Sequence, residues 1–514
     1  MVSPLPRIGV LAFADSRSDI SNANAANLYI QEQHQHIARE LAARGFQVLD
    51  PQSAEAEAGG AFAPITSFEE GAKIARQLIQ GEVEAIVIGA WRWSEPMPVV
   101  DLVRRLNVPT ALYTHATADF SGYGGITAYG AALWEVAPNR AALVHTRITD
   151  DIEELARWAR GACAYSKLRQ ARLLIWGSAS CRGMEHLPDD TVRLKAWLVG
   201  DIVQEGQYYL IKRADRFLQE RTEIRAFLDW LHARGANIVL DDKMLTSESL
   251  ARSVALYLAA EQHIAEMGGA TVAGVSVQCH KELSSEYGVT PCLIPAFVPF
   301  PENHRGAKRA IPTTCEGDLK SLITSILLHY ISPDTPVHFG DLRELNHAPN
   351  LVVISNCGAS SVYYAANSAV ANEVLPYITL QKQIFGVSGS SVTFKGKALS
   401  AVTVARLCRV NGQYWMHLGS GKAIDVSDTM MNNRKWAKEW PTVAIDLGIS
   451  TRDFARVAAS NHYCLIPGDH THPLQAACLQ AGIPVLPVDT PAGITSALER
   501  MTQTNAPWQP GRIP

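Results

Sequence analysis

Residues 312–332 read PTTCEGDLKSLITSILLHYIS, in which Glu316 and Asp318 flank a single glycine just before a long apolar stretch. The apolar residues of LKSLITSILLHYI recur at helical spacing, which predicts an α-helix. Asp318 directly precedes that helix, where an acid can accept hydrogen bonds from the free N–H groups of the first turn. We therefore predict that Asp318 caps the helix. Glu316 lies outside it, either as a solvated loop carboxylate or as a functional acid beyond a sheet edge.

Two further polar positions stand beside short strand-like runs. Asp341 follows PVHF, so we expect it at a sheet edge, either as a turn-forming residue or as a second functional acid. His462 lies in SNHYCLIPGD, where a helical pattern gives way to a strand, and a lone histidine there can simply be buried and hydrogen-bonded. Two carboxylates and an imidazole would form an oxygen-rich site for Mn²⁺ or Mg²⁺ with positions open for substrate oxygens. Sequence spacing alone does not show that the three converge.

The rest of the chain indicates an α/β protein. In the first third, short apolar strands (RIGVLAF, FQVLD, EAIVIGA, PTALYT) alternate with amphipathic helices, which predicts a parallel sheet of βαβ units. After a helix-rich stretch the pattern begins again with the strands ARLLIWG, NIVL, TVAGVSV and PCLIPAF, and this second unit is expected to close around PVHFGDL. The predicted domains are 1–168 and 169–345, both with parallel sheets.

Residues 346–514 have a different pattern of polar and apolar residues. SGSSVTFKGKALSAVTVARLCRVNGQYWMHLGSG alternates polar and apolar residues between glycine turns, which predicts an antiparallel sheet or barrel. The fold class expected from the sequence is therefore α/β, with two parallel-sheet βαβ domains followed by a β-rich C-terminal domain.

Composition excludes several classes of partner. The formal net charge is −4, from 46 Lys and Arg against 50 Asp and Glu, so the whole chain carries no electrostatic footprint for nucleic acid or an anionic membrane surface. No apolar run is long enough to span a bilayer. The nine cysteines are scattered without a C-x-x-C pair, and the start MVSPLPRIGVLAF lacks the features of a signal peptide. We predict a cytoplasmic protein with neither nucleic acid nor membrane as its partner.

Six short motifs follow one another along most of the chain: AWRWSEPM, GSASCRGMEHLPDD, VQCH, CEGD, HFGD and NHYCLIPGD. In this order they resemble the L-fucose isomerase family and, more distantly, the L-arabinose isomerases. The resemblance implies an aldose–ketose isomerase that acts on a free monosaccharide through a cis-enediol intermediate. It also implies a homo-oligomer, a trimer or a hexamer. The sugar would be fucose- or arabinose-like, deoxy or modified at C6.

The resemblance further implies a metal site. Glu316 would be a metal ligand and the catalytic base, Asp341 a ligand and the partner acid/base, and His462 the third protein ligand. The ion would be Mn²⁺ or another divalent cation such as Mg²⁺ or Co²⁺. An aspartate rather than a glutamate at position 341 favours the fucose branch over the arabinose branch.

Four residues are implied to bind the substrate. Gln278 and Asn461 would hydrogen-bond the sugar, and Trp91 would cover the pocket of a neighbouring subunit. The arginine that the family carries after its first strand has no clear counterpart, and Arg17 is the nearest candidate. The chain is also shorter than the usual L-fucose isomerase, mainly between Asp341 and His462, a region that shapes the sugar pocket in the family.

Two other functions fit parts of the sequence. Tandem α/β units also suit a sugar-binding protein without chemistry. A metal-dependent hydrolase could be built on GDHTHPL, with Asp469, His470 and His472 as ligands, although no further cluster supports it and His472 before Pro473 fits the start of a helix better. Motifs for a P-loop, a dinucleotide fold, a nucleophile elbow or an H-E-x-x-H zinc site are absent from the sequence.

Overall fold

The computed structural model describes residues 4–17, 23–57, 62–116, 120, 122–136, 145–177, 181, 183–269, 271–383, 387–410, 412–434 and 437–503. They form two compact units. The N-terminal unit comprises Pro4–Lys167 together with His472–Gly482, and the second unit comprises Leu168–Thr471 and the chain from Ile483.

The N-terminal unit is built on a five-stranded parallel sheet in the order β2-β1-β3-β4-β5. Strands β3 and β4 are buried along their whole length, as expected where helices cover both faces of a parallel sheet. The four predicted strands and the alternation with helices are confirmed. The elements are β1 (Arg7–Ala12), α1 (Ala23–Ala43), β2 (Gln47–Leu49), α2 (Pro51–Glu57), α3 (Phe68–Gln80), β3 (Ala85–Gly89), α4 (Pro96–Leu106), β4 (Thr110–Thr114), α5 (Gly122–Val136), β5 (His145–Thr149) and α6 (Ile152–Gln170).

The second unit contains a parallel sheet and a larger, mainly antiparallel one. Its strands are β6 (Arg172–Trp176), β7 (Asp201–Glu205), β8 (Asn237–Ile238), β9 (Val272–Val277), β10 (Glu302–Asn303), β11 (Gly306–Ala307), β12 (Thr313–Cys315), β13 (His338–His347), β14 (Asn350–Ser355), β15 (Thr379–Lys382), β16 (Ser390–Thr393), β17 (Leu399–Val410), β18 (Gln413–Ile424), β19 (Thr442–Asp446), β20 (His462–Pro467) and β21 (Val485–Pro487). Its helices up to residue 470 are α7 (Thr191–Trp197), α8 (Tyr208–Glu220), α9 (Thr222–Ala233), α10 (Ser247–Glu266), α11 (Leu293–Phe297), α12 (Leu319–Ile331), α13 (Ala371–Val374), α14 (Asp428–Asn432) and α15 (Thr451–Val457).

The parallel sheet has the order β12-β9-β6-β7. Its strands end level with one another, because Cys315 pairs with Val277, Val277 with Trp176, and Trp176 with Glu205. The residues that follow β12 and β9 therefore emerge side by side at the carboxyl edge, where ligands of such sheets bind.

The antiparallel sheet has the order β17-β20-β13-β14-β19-β18, with β21 added in parallel beside β18. An additional pairing between β17 and β18 joins the first and last of these six strands, so that they close into a ring. The predicted fold class, two parallel βαβ sheets followed by a β-rich region, is confirmed. The predicted domain boundaries at 168 and 345 stay a prediction. In the structure, β13 crosses residue 345, and the second unit continues on both sides of that residue.

Three local assignments made from the sequence were wrong. PVHFGDL does not complete the parallel sheet, because β13 pairs with β14 and β20 in the ring. PCLIPAF forms the short helix α11, and a brief, fully buried apolar run does not distinguish helix from strand by periodicity. NIVL gives the two-residue strand β8, which pairs with β15 instead of the parallel sheet.

Helix α12 is buried on nearly every side. Toward the parallel sheet its Ile326 and Leu322 lie so close to Gly274 of β9 that a Cβ there would be 2.9 Å from both. Toward the ring, Thr324 accepts a hydrogen bond from the backbone of Leu407 in β17 at 2.9 Å. Because α12 contacts structure on nearly every side, it fixes the end of β12 relative to the ring.

The helix α16 (Thr471–Ala481) carries the chain back to the N-terminal unit before α17 (Pro491–Gln503) ends the described chain. Ala476 of α16 belongs to the same buried cluster as Trp158, Ala159 and Ala162 of α6. Among the helices of the described ranges, none is both long enough and apolar enough to cross a membrane.

Replacement of Gly161 in α6 by alanine is expected to destabilise the N-terminal unit. A Cβ at this position would lie 1.9 Å from the carbonyl oxygen of Pro473 in α16, so the two helices would have to move apart. Overpacking of this kind costs about 1–3 kcal/mol, which thermal unfolding followed by circular dichroism would detect as a lower midpoint.

Gly124→Ala in α5 is the matched control, because a Cβ there has nothing within 4 Å. Alanine is the better helix former, so this variant should unfold at the same temperature or slightly higher. Equal midpoints for the two variants would contradict the close approach of α6 and α16.

Candidate active site

Glu316 occupies a strained turn at the carboxyl edge of the parallel sheet. It follows the last residue of β12 with φ of 62°, and Gly317 continues in the left-handed region with φ of 69°. Glycine adopts this conformation without steric cost, whereas a non-glycine residue pays of order 1–3 kcal/mol and is found mostly at functional sites. The carboxylate of Glu316 is mostly buried, with 13% of the side chain exposed.

Asp318 caps α12, as predicted, and also contacts Arg406 and His462. Its Oδ1 accepts a hydrogen bond from the backbone N–H of Ser321 at 2.9 Å, while Oδ2 accepts one from Arg406 at 2.6 Å and lies 2.7 Å from Nδ1 of His462. Burial alone would raise the pKa of Asp318, but the Arg406 charge and the His462 hydrogen bond outweigh it and hold the pKa well below its usual range. The acid is therefore a fixed anion inside the protein.

His462 is the first residue of β20 and is completely buried. While Nδ1 faces Asp318, Nε2 lies 3.1 Å from an oxygen of Glu316 and 3.6 Å from an oxygen of Asp341. Burial alone would lower the pKa of His462, but its hydrogen bonds to Asp318 and Glu316 raise it well above the ordinary value. The imidazole thus lies between three carboxylates.

Asp341 lies inside β13 and not at its end, which corrects the expectation of an acid at a strand terminus. It pairs with His462 of β20 on one side and Ser355 of β14 on the other. The preceding Gly340 does not form a turn: it allows close strand packing, since a Cβ would be 3.0 Å from Ile354. Burial raises the pKa of Asp341; the His462 cation opposes this rise and the Glu316 charge adds to it.

Asn461 holds the Asp341 carboxylate. Its Nδ2 donates to Oδ1 of Asp341 at 3.0 Å, and its Oδ1 lies 2.7 Å from Nε2 of His186, in the loop that follows β6. Gln278 is the residue after β9, is largely buried, and packs so closely on Gly177 that a Cβ there would meet it at 2.7 Å. Both residues thus belong to the second unit. Asn461 lies beside Asp341. Gln278 directly follows β9, which is the neighbour of β12, and Glu316 directly follows β12.

Trp91 and Arg17 lie in the N-terminal unit. Trp91 is buried against Tyr113 and His115, with ring centroids 5.9 and 5.5 Å away. Arg17 is mostly exposed and pairs with Asp15. Their assignment to the substrate stays a prediction.

One comparison with known proteins bears on this arrangement. Residues 354–488 match the family model of the L-fucose isomerase C-terminal domain. This part of the chain is similar to an L-fucose isomerase C-terminal domain. The match includes Arg406, Asn461 and His462, while Glu316 and Asp341 precede it. No curated protein was found to match the chain.

The predicted resemblance to the L-fucose isomerase family is therefore confirmed. Enzymes of this family interconvert aldoses and ketoses, so the protein is an intramolecular oxidoreductase that acts on a sugar. The roles of individual residues in that reaction are not part of the match.

The hydrolase alternative finds no support around the isomerase's GDHTHPL segment. The ring of His470 lies 3.0 Å from the carbonyl oxygen of Pro467, and Asp469 accepts hydrogen bonds from Thr471. His472 belongs to the first turn of α16, as its position before a proline predicts. These residues stabilise the start of a helix.

Sequence reasoning missed Arg406 and the second role of Asp318. Arg406 is completely buried although it is a cation, and it sits within the apolar strand SAVTVARLCRV. An arginine in a strand of that kind is a signal, because a buried charge needs a partner. The sequence does not say which acid that partner is.

Replacement of Arg406 by methionine should strongly destabilise the isomerase. Methionine fills a similar volume but cannot donate a hydrogen bond or carry a charge. The buried Asp318 carboxylate would then keep only Ser321 and His462 of the three partners described above. Breaking a buried pair by removal of one partner costs about 3–5 kcal/mol. Chemical denaturation followed by circular dichroism would measure the loss.

Arg456→Met provides the comparison. Arg456 pairs with Asp453 on the surface of α15 with 61% of its side chain exposed, so its loss should change stability by less than about 1 kcal/mol. Similar small losses for both variants would contradict a central role for the buried pair.

Proposed function

We propose that the protein is a divalent-metal-dependent aldose–ketose isomerase in which Glu316, Asp341 and His462 form the catalytic centre. The observation that supports this proposal is the position of Nε2 of His462, 3.1 Å from Glu316 and 3.6 Å from Asp341. Side chains from the end of β12 and the interior of β13 thus approach the same imidazole nitrogen of the first residue of β20. The reaction proposed for them passes through a cis-enediol.

The donor set suits Mn²⁺, with Mg²⁺ or Co²⁺ as alternatives. Two carboxylates and one imidazole are ligands that such ions accept. Asp318 fixes Nδ1 of His462, and a carboxylate behind a histidine commonly orients the other nitrogen toward a metal. Binding would replace the Nε2 proton, since a ligating histidine must be neutral. When bound, the ion would act as a Lewis acid on two neighbouring sugar oxygens.

The side chains would supply the proton transfers. Glu316 takes the proton from C2 of the aldose and returns it to C1, while Asp341 moves a proton between the oxygens on the same two carbons. The buried Asp341, with its raised pKa, suits a group that must hold a proton part of the time. Positioning the base against the C2 proton can lower the barrier by about 7–11 kcal/mol in ideal cases.

Asn461 and Gln278 would orient the sugar hydroxyls, as their positions near Asp341 and Glu316 allow. Trp91 and Arg17 would contribute from the N-terminal unit, with Trp91 covering the pocket of a neighbouring subunit in a homo-oligomer, a trimer or a hexamer. The substrate would be a free monosaccharide that is fucose- or arabinose-like, deoxy or modified at C6. We place the enzyme in the cytoplasm because none of its nine buried cysteines forms a disulfide.

Incubation of the enzyme with a panel of free aldoses, Mn²⁺ and D₂O should yield ketose that carries solvent deuterium, and EDTA should stop the reaction. Glu316→Gln and Asp341→Asn should each lower kcat by about 10²–10⁴-fold, because each removes an acid/base group. Chromatography of the products and mass spectrometry measure conversion and label.

Glu344→Gln is the control for Asp341→Asn. It lies on the same strand, and its carboxylate pairs with Arg434 at 3.2 Å, so turnover should be unchanged. Sugar binding without conversion by the wild-type protein would instead indicate a binding protein, and full activity of Glu316→Gln would remove this residue from the mechanism.

Asn461→Ala should lower kcat by about 10–100-fold, the usual cost of losing a group that orients a catalytic ligand. His186→Ala should have a smaller effect, since it acts only by holding Asn461. The double variant should be no slower than Asn461→Ala alone. Steady-state kinetics of the three variants test this order, and additive losses would show that His186 acts by another route.

A further inference from the structure

Five buried cysteines lie around the carboxyl edge of the parallel sheet. Cys315 is the last residue of β12, and Cys279 follows the end of the neighbouring strand β9 by two residues. Gln383 donates to the sulfur of Cys292 at 3.2 Å and to the carbonyl oxygen of Cys357, and Asn356 donates to the sulfur of Cys315 at 3.6 Å. The proposed function uses none of these thiols, although the sulfur atoms of Cys181 and Cys279 lie close to the Glu316 carboxylate.

Three ligand atoms of this region are close enough to share one ion. The sulfur atoms of Cys181 and Cys279 and a carboxylate oxygen of Glu316 all lie within 4.8 Å of one another. Zinc–sulfur bonds of about 2.3 Å and zinc–oxygen bonds of about 2.0–2.2 Å place the ligands of one ion at comparable separations. Small side-chain movements would therefore complete three positions of a tetrahedral site.

We propose that Cys181, Cys279 and Glu316 form a second metal site, which takes a thiophilic divalent cation such as Zn²⁺ or Cd²⁺ and thereby inhibits the enzyme. The binding itself is independent of the proposed function. The inhibition rests on it, because it requires Glu316 to be the catalytic base.

The two sites would differ in the metals that they select. Thiolate ligands favour zinc and cadmium, whereas carboxylates with an imidazole suit Mn²⁺ or Mg²⁺. On binding, each of the two thiols would lose its proton to the solvent, since a bound cation deprotonates a coordinating thiol outright. The same Mn²⁺ that supports the reaction would thus leave the cysteines unoccupied.

Inhibition would follow from the shared carboxylate. The side chains of Glu316 and Asp341 keep 13% and 17% of their surface exposed, whereas Cys181 and Cys279 are buried. An entering ion would meet the carboxylates first and then the sulfurs. A cation held by the two thiolates would draw the Glu316 carboxylate away from the position from which it would take the C2 proton, so the base would no longer be oriented for the transfer.

The binding test uses Cd²⁺ alone as the probe on the full chain, reduced and treated with a chelator. Wild-type protein should bind one tight Cd²⁺ per chain in equilibrium dialysis and show the ultraviolet absorption of cadmium–thiolate bonds. The Cys181→Ser/Cys279→Ser double variant should lose that absorption and bind Cd²⁺ at least about 100-fold more weakly.

Cys163→Ser/Cys478→Ser, with two buried cysteines of the N-terminal unit, is the matched control and should bind as wild type does. Circular dichroism verifies that each variant folds, and the single variant Cys279→Ala replaces the double one if it does not. Unchanged affinity and absorption in the cysteine variants would overturn the proposed site.

The activity test adds Zn²⁺ to enzyme saturated with Mn²⁺. Zinc should inhibit the wild type and the Cys163→Ser/Cys478→Ser control at least about tenfold more potently than the Cys181→Ser/Cys279→Ser variant. Equal inhibition of all three would overturn the inhibitory role. If no sugar is converted at all, the proposed function fails, and the cadmium measurement still decides whether the site exists.

Discussion

The buried carboxylate of Asp318 is the interaction on which the rest of the second unit depends. It caps α12 through Ser321, neutralises Arg406 of β17 and fixes His462 at the start of β20. Through these three contacts one side chain connects the helix that follows the parallel sheet to two neighbouring strands of the closed ring. Because these groups are buried, removal of Arg406 or His462 leaves the Asp318 carboxylate with one compensating partner fewer in the interior.

The same carboxylate determines the electrostatics of the candidate active site. Since Nδ1 of His462 is committed to Asp318, Nε2 is the nitrogen that faces Glu316 and Asp341. Asp318 and Asp341, which lie on opposite sides of the His462 imidazole, thus have different electrostatic environments. Asp318 is held ionised by Arg406, whereas burial raises the pKa of Asp341. Such a division separates a structural anion from a group that can exchange protons, which is how carboxylates in one site acquire different roles.

Much of this arrangement could be read from the sequence, and the remainder depends on tertiary pairing. Helical periodicity and an acid at the first position located α12 and its cap at Asp318. The position of Asp341 could not be obtained in this way, because β13 continues beyond Gly340 only when β14 and β20 are present to pair with it. Arg406 was missed for the same reason: its partner lies on a distant helix. The short run PCLIPAF is buried on all sides and carries no periodicity that would separate helix from strand.

The return of α16 to the N-terminal unit has a consequence for synthesis of the chain. The ribosome completes the five-stranded sheet early, but the helix that packs on α6 at Gly161 is made only after most of the second unit. Until then the nascent unit keeps part of its apolar cluster around Trp158 uncovered. Domains generally fold as they emerge, and exposed apolar surface invites aggregation. The delay before α16 is made therefore prolongs the exposure of this apolar surface on the unfinished chain.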